Sequence, residues 1–287
     1  MPRSTRRRST TARGSRKLAD VGEAGLLREL EARGLARGIE HDAAQVAGVV
    51  VTQDALVEGV HFRFDLVSWR DLGYRAAAVN LSDLAASGAD PDGLIVSLGV
   101  PAETEIGDVL ELYEGLNEPG VPVLGGDTTR SDAVVLSVTA IGRSARVPGR
   151  AAARPGDLLV VTGALGAAGA AFRGGALARP PLRLDEGRRL AVAAHALMDI
   201  SDGLAVDAAR MAERSRCRLA IEVERVPLAP GAELRDLSFG EDYELLAATA
   251  DPLEFAVIGR CEEGEGVALT FDAEPVELGG WEHFNTG

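Results

Sequence analysis

The stretch WRDLGYRAAAVNLSDLAAS, residues 69–87, decides the fold. Ser68 in front of it supplies a capping hydroxyl and Gly88 behind it a stop, so it reads as one long helix. Apolar runs of strand length flank it. Residues 49–52 read as a buried strand ending at a Gln53-Asp54 turn, and 94–100 as the next strand. A helix over 103–118 follows, then a short strand at 121–124 running into Gly125-Gly126-Asp127, then a strand over 134–141. Strands and helices alternate, the pattern of a layered α/β core.

The texture changes at GRSARVPGRAAARPGD (142–157), rich in Arg, Pro and Gly. A domain boundary is expected there, with an N-terminal domain over 18–147 and a C-terminal α+β domain over 148–287. The second half reads as a strand at 158–162, a Gly/Ala-rich segment, a helix near 186–195, and a helix in DISDGLAVDAARMAERS capped by Ser201 or Asp202. Further strands are expected at 218–223, 243–249 and 255–259.

With 46% hydrophobic and 26% charged residues, the 287-residue chain has the composition of a soluble globular protein. No apolar run approaches the length of a membrane span and no secretory signal is evident, so a cytoplasmic protein is expected. Cys217 and Cys261 are the only cysteines. They read as ordinary buried thiols rather than a disulfide framework or zinc site. The net charge of −14 argues against a general nucleic-acid binder. Residues 1–17 run against this balance, with six Arg and Lys17 and no acid. They are expected to be a disordered basic tail, dispensable for folding and catalysis.

Carboxylates recur beside small or turn-forming residues: Asp42, Asp54, Asp83, Asp127, Asp199 and Asp202. Carboxylates converging on one cleft repel by roughly 4 kcal/mol per pair at about 4 Å and an effective dielectric near 20. With four His and no cysteine cluster beside them, they suit a hard cation such as Mg²⁺, which commonly shares its shell with substrate phosphates. A Mg²⁺-nucleotide enzyme is therefore expected.

Each motif has a plainer reading. GGDTTR (125–130) could hold a ligand close to its glycines or be a turn. In DISDGL (199–204) the two carboxylates could bind metal or cap a helix. Asp83 is costly to bury unless paired or metal-bound, but could lie on an exposed stripe. His61 and Trp281 read in isolation as core residues and Arg150 as a solvated one. GALGAAG (163–169) lacks the lysine and hydroxyl of a phosphate loop and is expected to serve close packing.

Together, GVHF (59–62), NLSDLAASGADP (80–91), GGDTT (125–129), PGDLLVVTG (155–163), DISDGLAVD (199–207), GEDYELL (240–246) and GWEHF (280–284) fall in one order. In this the chain resembles the thiamine-monophosphate kinase family of the aminoimidazole-ribotide synthetase-like ATP-binding superfamily, from about Leu18 to Phe284. The resemblance implies a two-domain α/β (α+β) fold whose N-terminal domains pair into a dimeric β-barrel, with ATP near that interface. It implies a phosphotransferase with a phosphate group as acceptor, which converts thiamine monophosphate to thiamine diphosphate with ATP and several Mg²⁺ ions, by direct transfer. Asp42, Asp54, Asp83, Asp127, Asp199 and Asp202 match metal-binding carboxylates, and Thr52 and Gln53 match further metal-shell positions. Gly126, Asp127, Arg150 and Ser201, with Tyr113 a weaker candidate, match ATP contacts. His61, Glu241 and Trp281 match contacts to thiamine monophosphate. No residue is implied as a general base or covalent nucleophile.

The chain departs from the family pattern at His41 beside Asp42, where a second Asp is usual. Gln53 stands where Thr is usual, and Phe239 where Gly precedes Gly240-Glu241-Asp242. The second half is also shortened after Gly163 and between Pro227 and Phe239. Two competing readings follow: a sister ATP-dependent enzyme of the same superfamily, or a degenerate nucleotide-binding paralogue. The cysteine that two of the sister enzymes carry near one terminus is absent from this chain.

Overall fold

The computed structural model describes residues 17–36 and 41–281. Most of the basic tail, Glu40 and residues 282–287, including Phe284, lie outside them. In the first described stretch a 3-10 turn, Leu18–Asp20, leads into helix α1, Gly22–Ala32.

The first half of the remainder forms an open five-stranded sheet from β1 (Ala44–Val46), β2 (Val49–Val57), β3 (Asp90–Val100), β4 (Val123–Arg130) and β5 (Val135–Arg143). The order is β1-β2-β5-β3-β4, antiparallel except for β3 beside β4. Period-2 alternation gives the sheet two faces. Leu136, Val138 and Ala140 of β5 are buried, whereas Val135, Ser137, Thr139 and Ile141 between them are only partly so. Helices α2 (Trp69–Ala86) and α3 (Ile106–Asn117) cover the apolar face, and Leu72, Leu81, Leu84, Leu112 and Leu116 join its core. The two helices touch backbone to backbone. A Cβ on Gly73 would lie 1.9 Å from the Leu112 carbonyl oxygen, and one on Gly115 1.9 Å from that of Arg70.

The second half forms a seven-stranded sheet, in the order β12-β11-β8-β10-β6-β9-β7. Its strands are β6 (Leu158–Val161), β7 (Ala196–Asp199), β8 (Arg218–Glu222), β9 (Leu245–Thr249), β10 (Ala256–Glu262), β11 (Gly266–Phe271) and β12 (Glu274–Pro275). Helices α4 (Ala167–Arg173), α5 (Leu184–Ala193) and α6 (Leu204–Ser215) complete it. Leu204, Ala208 and Met211 of α6 pack against Leu219, Ile221 and Ile258. Leu190 and Ala191 of α5 pack with Val160, Leu197 and Leu245, and this second cluster also takes in Ala85 and Ala86 of α2. Helix α2 therefore belongs to both halves, and Gly187 lets α5 approach it: a Cβ there would lie 2.2 Å from the Ala85 carbonyl oxygen. No described helix is long and apolar enough to cross a membrane.

The helix that opened the reading runs as expected. The Ser68 hydroxyl accepts the Asp71 amide proton at its start, and Gly88 takes φ +58° just beyond its end. Three local expectations are corrected. Residues 53–54 are not a turn, because β2 stays paired with β5 as far as Val57 opposite Val135. GGDTTR is not a loop but most of β4, paired with β3 through Arg130. Neither Ser201 nor Asp202 caps α6 by its side chain. Gly203 occupies the cap position, and Asp207 within the helix accepts the amide protons of Ser201 and Asp202 at 3.0 and 2.9 Å. Strands β1, β7, β11 and β12 had no counterpart in the sequence reading.

Candidate active site

Three separate elements bring Asp42, Asp83 and Asp199 together. Asp42 precedes β1, Asp83 lies in the last turns of α2, and Asp199 ends β7. One carboxylate oxygen from each lies within 4.8 Å of the others. The Thr52 hydroxyl, on the buried face of β2, donates to Asp83 and lies 3.3 Å from the Asp42 carbonyl oxygen. Asp54 follows two residues along the same face, its amide donating to Asn80 Oδ1 of α2 at 3.0 Å. Ser82 of α2 donates to Asp199 Oδ2 at 2.7 Å. One helix thus sets the orientation of groups from both sheets.

The cluster is electrostatically costly by itself. Asp83 is held well above the usual carboxylate range by burial first, then by the charges of Asp199, Asp54 and Asp42, against the opposing Thr52 hydrogen bond. Asp199 is raised likewise by burial and then Asp42, with Ser82 opposing. Arg150 pairs with Asp42 and is the cation built into the cluster. Carboxylates, a hydroxyl and a carbonyl make an all-oxygen donor set of surplus negative charge, which fits a hard divalent cation such as Mg²⁺.

Beside this cluster, residues 199–202 are cross-linked to residues 241–244. The Glu241 amide donates to the Ser201 carbonyl at 2.7 Å, Tyr243 to Ile200 at 2.8 Å, and Ile200 back to Glu244 at 2.8 Å. Asp202 pairs with Arg210, which also holds Asp207 at 2.7 Å. Burial pushes the Asp207 carboxyl up to about 6, against Arg210. The side chain of Glu241 pairs with the buried Arg75 of α2. The Trp281 amide donates to the Asp202 carbonyl at 2.9 Å, and its side chain is half exposed. Ser201, Asp202, Glu241 and Trp281 therefore share one neighbourhood with Asp199.

Other expected site residues are held by contacts of their own. His61 follows β2, where its Nδ1 accepts the Val57 amide proton at 3.1 Å. Tyr113 packs from α3 against the N-terminal core. Gln53 projects from the opposite face of β2 to Thr52, with its amide bonded to Ser137 and Thr139 at 3.0 and 3.3 Å. Asp127 is on that same face, since it pairs with Ser97, which pairs with Ser137. Gly126 is demanded by packing: with φ +156°, a Cβ would lie 1.7 Å from the Val96 carbonyl oxygen. The N-terminus of α4 in GALGAAG takes the Asp242 carboxylate, both oxygens 2.9 Å from the Gly166 amide, in keeping with its packing role.

Sequence reasoning missed Arg75, Asn80, Ser82, Asp207 and Arg210. For Asn80, Asp207 and Arg210 the signal was available in part, because polar residues three apart on a helix, Asn80 with Asp83 and Asp207 with Arg210, mark a face that meets something polar.

Two family models match the chain: "AIR synthase related protein, N-terminal domain" over residues 40–144 and "AIR synthase related protein, C-terminal domain" over 154–268. Thiamine-monophosphate kinase of Aquifex aeolicus is 32% identical, over 93% of this chain and 100% of its own. The Escherichia coli K12 thiamine-monophosphate kinase is 34% identical over 83% of this chain and 87% of its own. The solved structure of AaThiL complexed with AMPPCP and TMP matches at a TM-score of 0.84 and 31% identity, over 94% of this chain and 99% of that one. With both halves matched and identity above 30% across nearly all its length, the chain belongs to the thiamine-monophosphate kinase family of AIR synthase related proteins.

Proposed function

We propose that this chain transfers the γ-phosphoryl group of ATP to the phosphate of thiamine monophosphate, giving thiamine diphosphate and ADP. The observation that carries the reading is the Asp42–Asp83–Asp199 cluster in a chain of this family. Asp42, Thr52, Asp54, Asp83, Asp199 and Asp202 would hold Mg²⁺ there; Gln53 and Asp127 stand apart on the other sheet face. Bound Mg²⁺ would offset the charge of the two reacting anions and of the transferred group.

The chain's own residues bind and orient. Thr52 and Ser82 fix the carboxylates of Asp83 and Asp199 through hydrogen bonds. Arg150, beside Asp42, is placed to meet nucleotide phosphate, with Ser201 next to it in function. Gly126, Asp127 and Tyr113 are the remaining nucleotide candidates. Glu241, Trp281 and His61 receive the acceptor, Trp281 offering an aromatic face to its rings. The acceptor phosphate is ionised near neutral pH, so the chain needs no strong general base and the transfer is direct. Catalysis is positioning and charge placement.

Two chains are proposed to pair the exposed faces of their five-stranded sheets into one barrel, in the cytoplasm where ATP is supplied. The domain boundary is proposed within 142–157, with domains over 18–147 and 148–287.

The test is an assay of purified protein with ATP, Mg²⁺ and thiamine monophosphate that reads thiamine diphosphate directly. Product is expected from the wild type and at least a 100-fold lower rate, as an order-of-magnitude estimate, from Asp83→Asn. No product from the wild type, with Mg²⁺-dependent ATP binding intact, would overturn the reading.

A further inference from the structure

Arg75 is the only arginine among the described residues to be fully buried, at 2% exposure. It projects from α2, two turns before Asp83, into the second half of the chain. One arm, Nη1, donates to the Ala178 carbonyl oxygen at 3.0 Å. The other, Nη2, pairs with Glu241. Its Nε and Nη2 are both buried with no hydrogen-bond partner, so Glu241 is held by charge in an ion pair and not by a hydrogen bond.

A buried ion pair is weak support for a fold, because desolvation takes back most of what the attraction gives. A donor left unsatisfied makes a purely structural role weaker still. The partner is unusual as well. Glu241 sits in the left-handed region at φ +60°, between Gly240 at +81° and Tyr243 at +51°. Non-glycine residues in that region are strained, and such strain gathers at functional sites. The Glu241 backbone is tied to Ser201, two residues from Asp199, and its side chain to the helix that carries Asp83. The carboxylate, still a quarter exposed, is thereby held in register with the carboxylate cluster.

We infer that Arg75 is a positioning residue for the acceptor: it orients Glu241 so that the bound thiamine monophosphate presents its phosphate to the cluster. This rests on the proposed role of Glu241. Arginine is required because its planar fork reaches Ala178 and Glu241 at once, which a lysine ammonium cannot reproduce.

The experiment compares the wild type with Arg75→Lys, Glu241→Gln and the double variant. It reads KM for thiamine monophosphate, KM for ATP, equilibrium binding of thiamine monophosphate, and Tm. Arg75→Lys is expected to raise KM and Kd for thiamine monophosphate about tenfold and leave KM for ATP within about twofold. Glu241→Gln should do the same, and the double variant should be no worse than either alone, because both changes break one device. If Glu241→Gln weakens the acceptor and Arg75→Lys, folded, does not, the inference about Arg75 is wrong while the reading of Glu241 stands. Equal effects on both substrates in step with Tm would reduce Arg75 to a structural role. If Arg75→Lys fails to fold, Glu241→Gln decides: an unchanged KM for thiamine monophosphate would end the inference and the reading of Glu241 together. A wild type that makes no thiamine diphosphate would remove the proposed function itself.

Discussion

Asp83 sits where burial and three neighbouring carboxylates all disfavour its charge. Neutralising it should therefore relieve the protein that lacks metal. Asp83→Asn is expected to match or exceed the wild-type Tm without Mg²⁺, since Asn can still accept from Thr52. Saturating Mg²⁺ at 100 times Kd should stabilise the wild type by about 2.7 kcal/mol, roughly 5–10 °C, and the variant by less than about half of that. Thermal unfolding with and without Mg²⁺ decides it, and an equal response in both proteins would exclude Asp83 as a ligand. Asp242 gives a second prediction at this scale, one that concerns stability alone. Burial pushes its carboxyl up to about 6 where it caps α4. A raised carboxyl binds its proton more tightly in the folded state, so its stabilisation is complete below about pH 4 and is lost as pH rises through about 6. Between pH 5 and 8 the loss is about 1.4 kcal/mol. Asp242→Asn keeps an acceptor for Gly166 and cannot ionise, so its Tm relative to wild type should improve by roughly 3–5 °C from pH 5 to pH 8. A difference that stays constant with pH would contradict the assignment. The acidic residues were legible because a carboxylate beside turn-formers stands out in a sequence. Ser82 and Arg75 were not, because a polar residue on a helix looks the same whether it faces solvent or a second sheet.

At the scale of elements, α2 is the part that the sequence specified best, through its cap, its alanine-rich faces and its glycine stop. What the sequence did not disclose is how closely α3 would approach it. Gly115 and Gly73 let the two helix backbones meet, and a methyl group on Gly115 has no flexible neighbour to displace, only the Arg70 carbonyl and the Tyr74 amide nitrogen. Gly115→Ala is expected to cost about 2–3 kcal/mol and lower Tm by roughly 5–10 °C. Gly107, in the first turn of the same helix, has open space around its missing Cβ. Gly107→Ala should instead gain about 0.5–1 kcal/mol from helix propensity. Thermal melts of the two variants separate packing from propensity, and similar Tm values for both would show that the close helix contact does not form. The strands were harder to bound. Glycine and aspartate in GGDTTR signal a turn locally, yet β4 continues through them because β3 supplies partners all the way to Arg130. Pairing between distant segments decided against local propensity there, and again in β2 beyond Gln53.

For the whole molecule, the question is what the second face of the five-stranded sheet meets. It carries Val46, Ile95 and Leu124 at 63%, 41% and 60% exposure. Its middle carries Gln53, Ser137 and Thr139, which bond one another. Polar groups that satisfy themselves can be buried at small cost, and apolar groups around them gain from it. A sheet face of this kind suits a second copy of itself, because a two-fold interface presents the same patch twice. The sequence carried this only as a family expectation, since alternating residues in a strand show that it has two faces and say nothing of what covers the second. In solution the protein should have twice the 30.0 kDa chain mass by light scattering at micromolar concentration. Ile95→Asp places two charges at a symmetric interface and should weaken association by about 100-fold or more. Its Tm as a monomer should stay near that of a Glu263→Gln control at an exposed position. A wild type that runs as a monomer, or an Ile95→Asp dimer of unchanged affinity, would assign this face to something other than a second chain. The dimer would also bring Asp127 and Gln53, on the sheet face opposite to Thr52, into a shared interior. With Asp127 a nucleotide candidate, Asp127→Asn is expected to weaken ATP binding in an intact dimer, whereas unchanged ATP binding in an intact dimer would remove Asp127 from the nucleotide site.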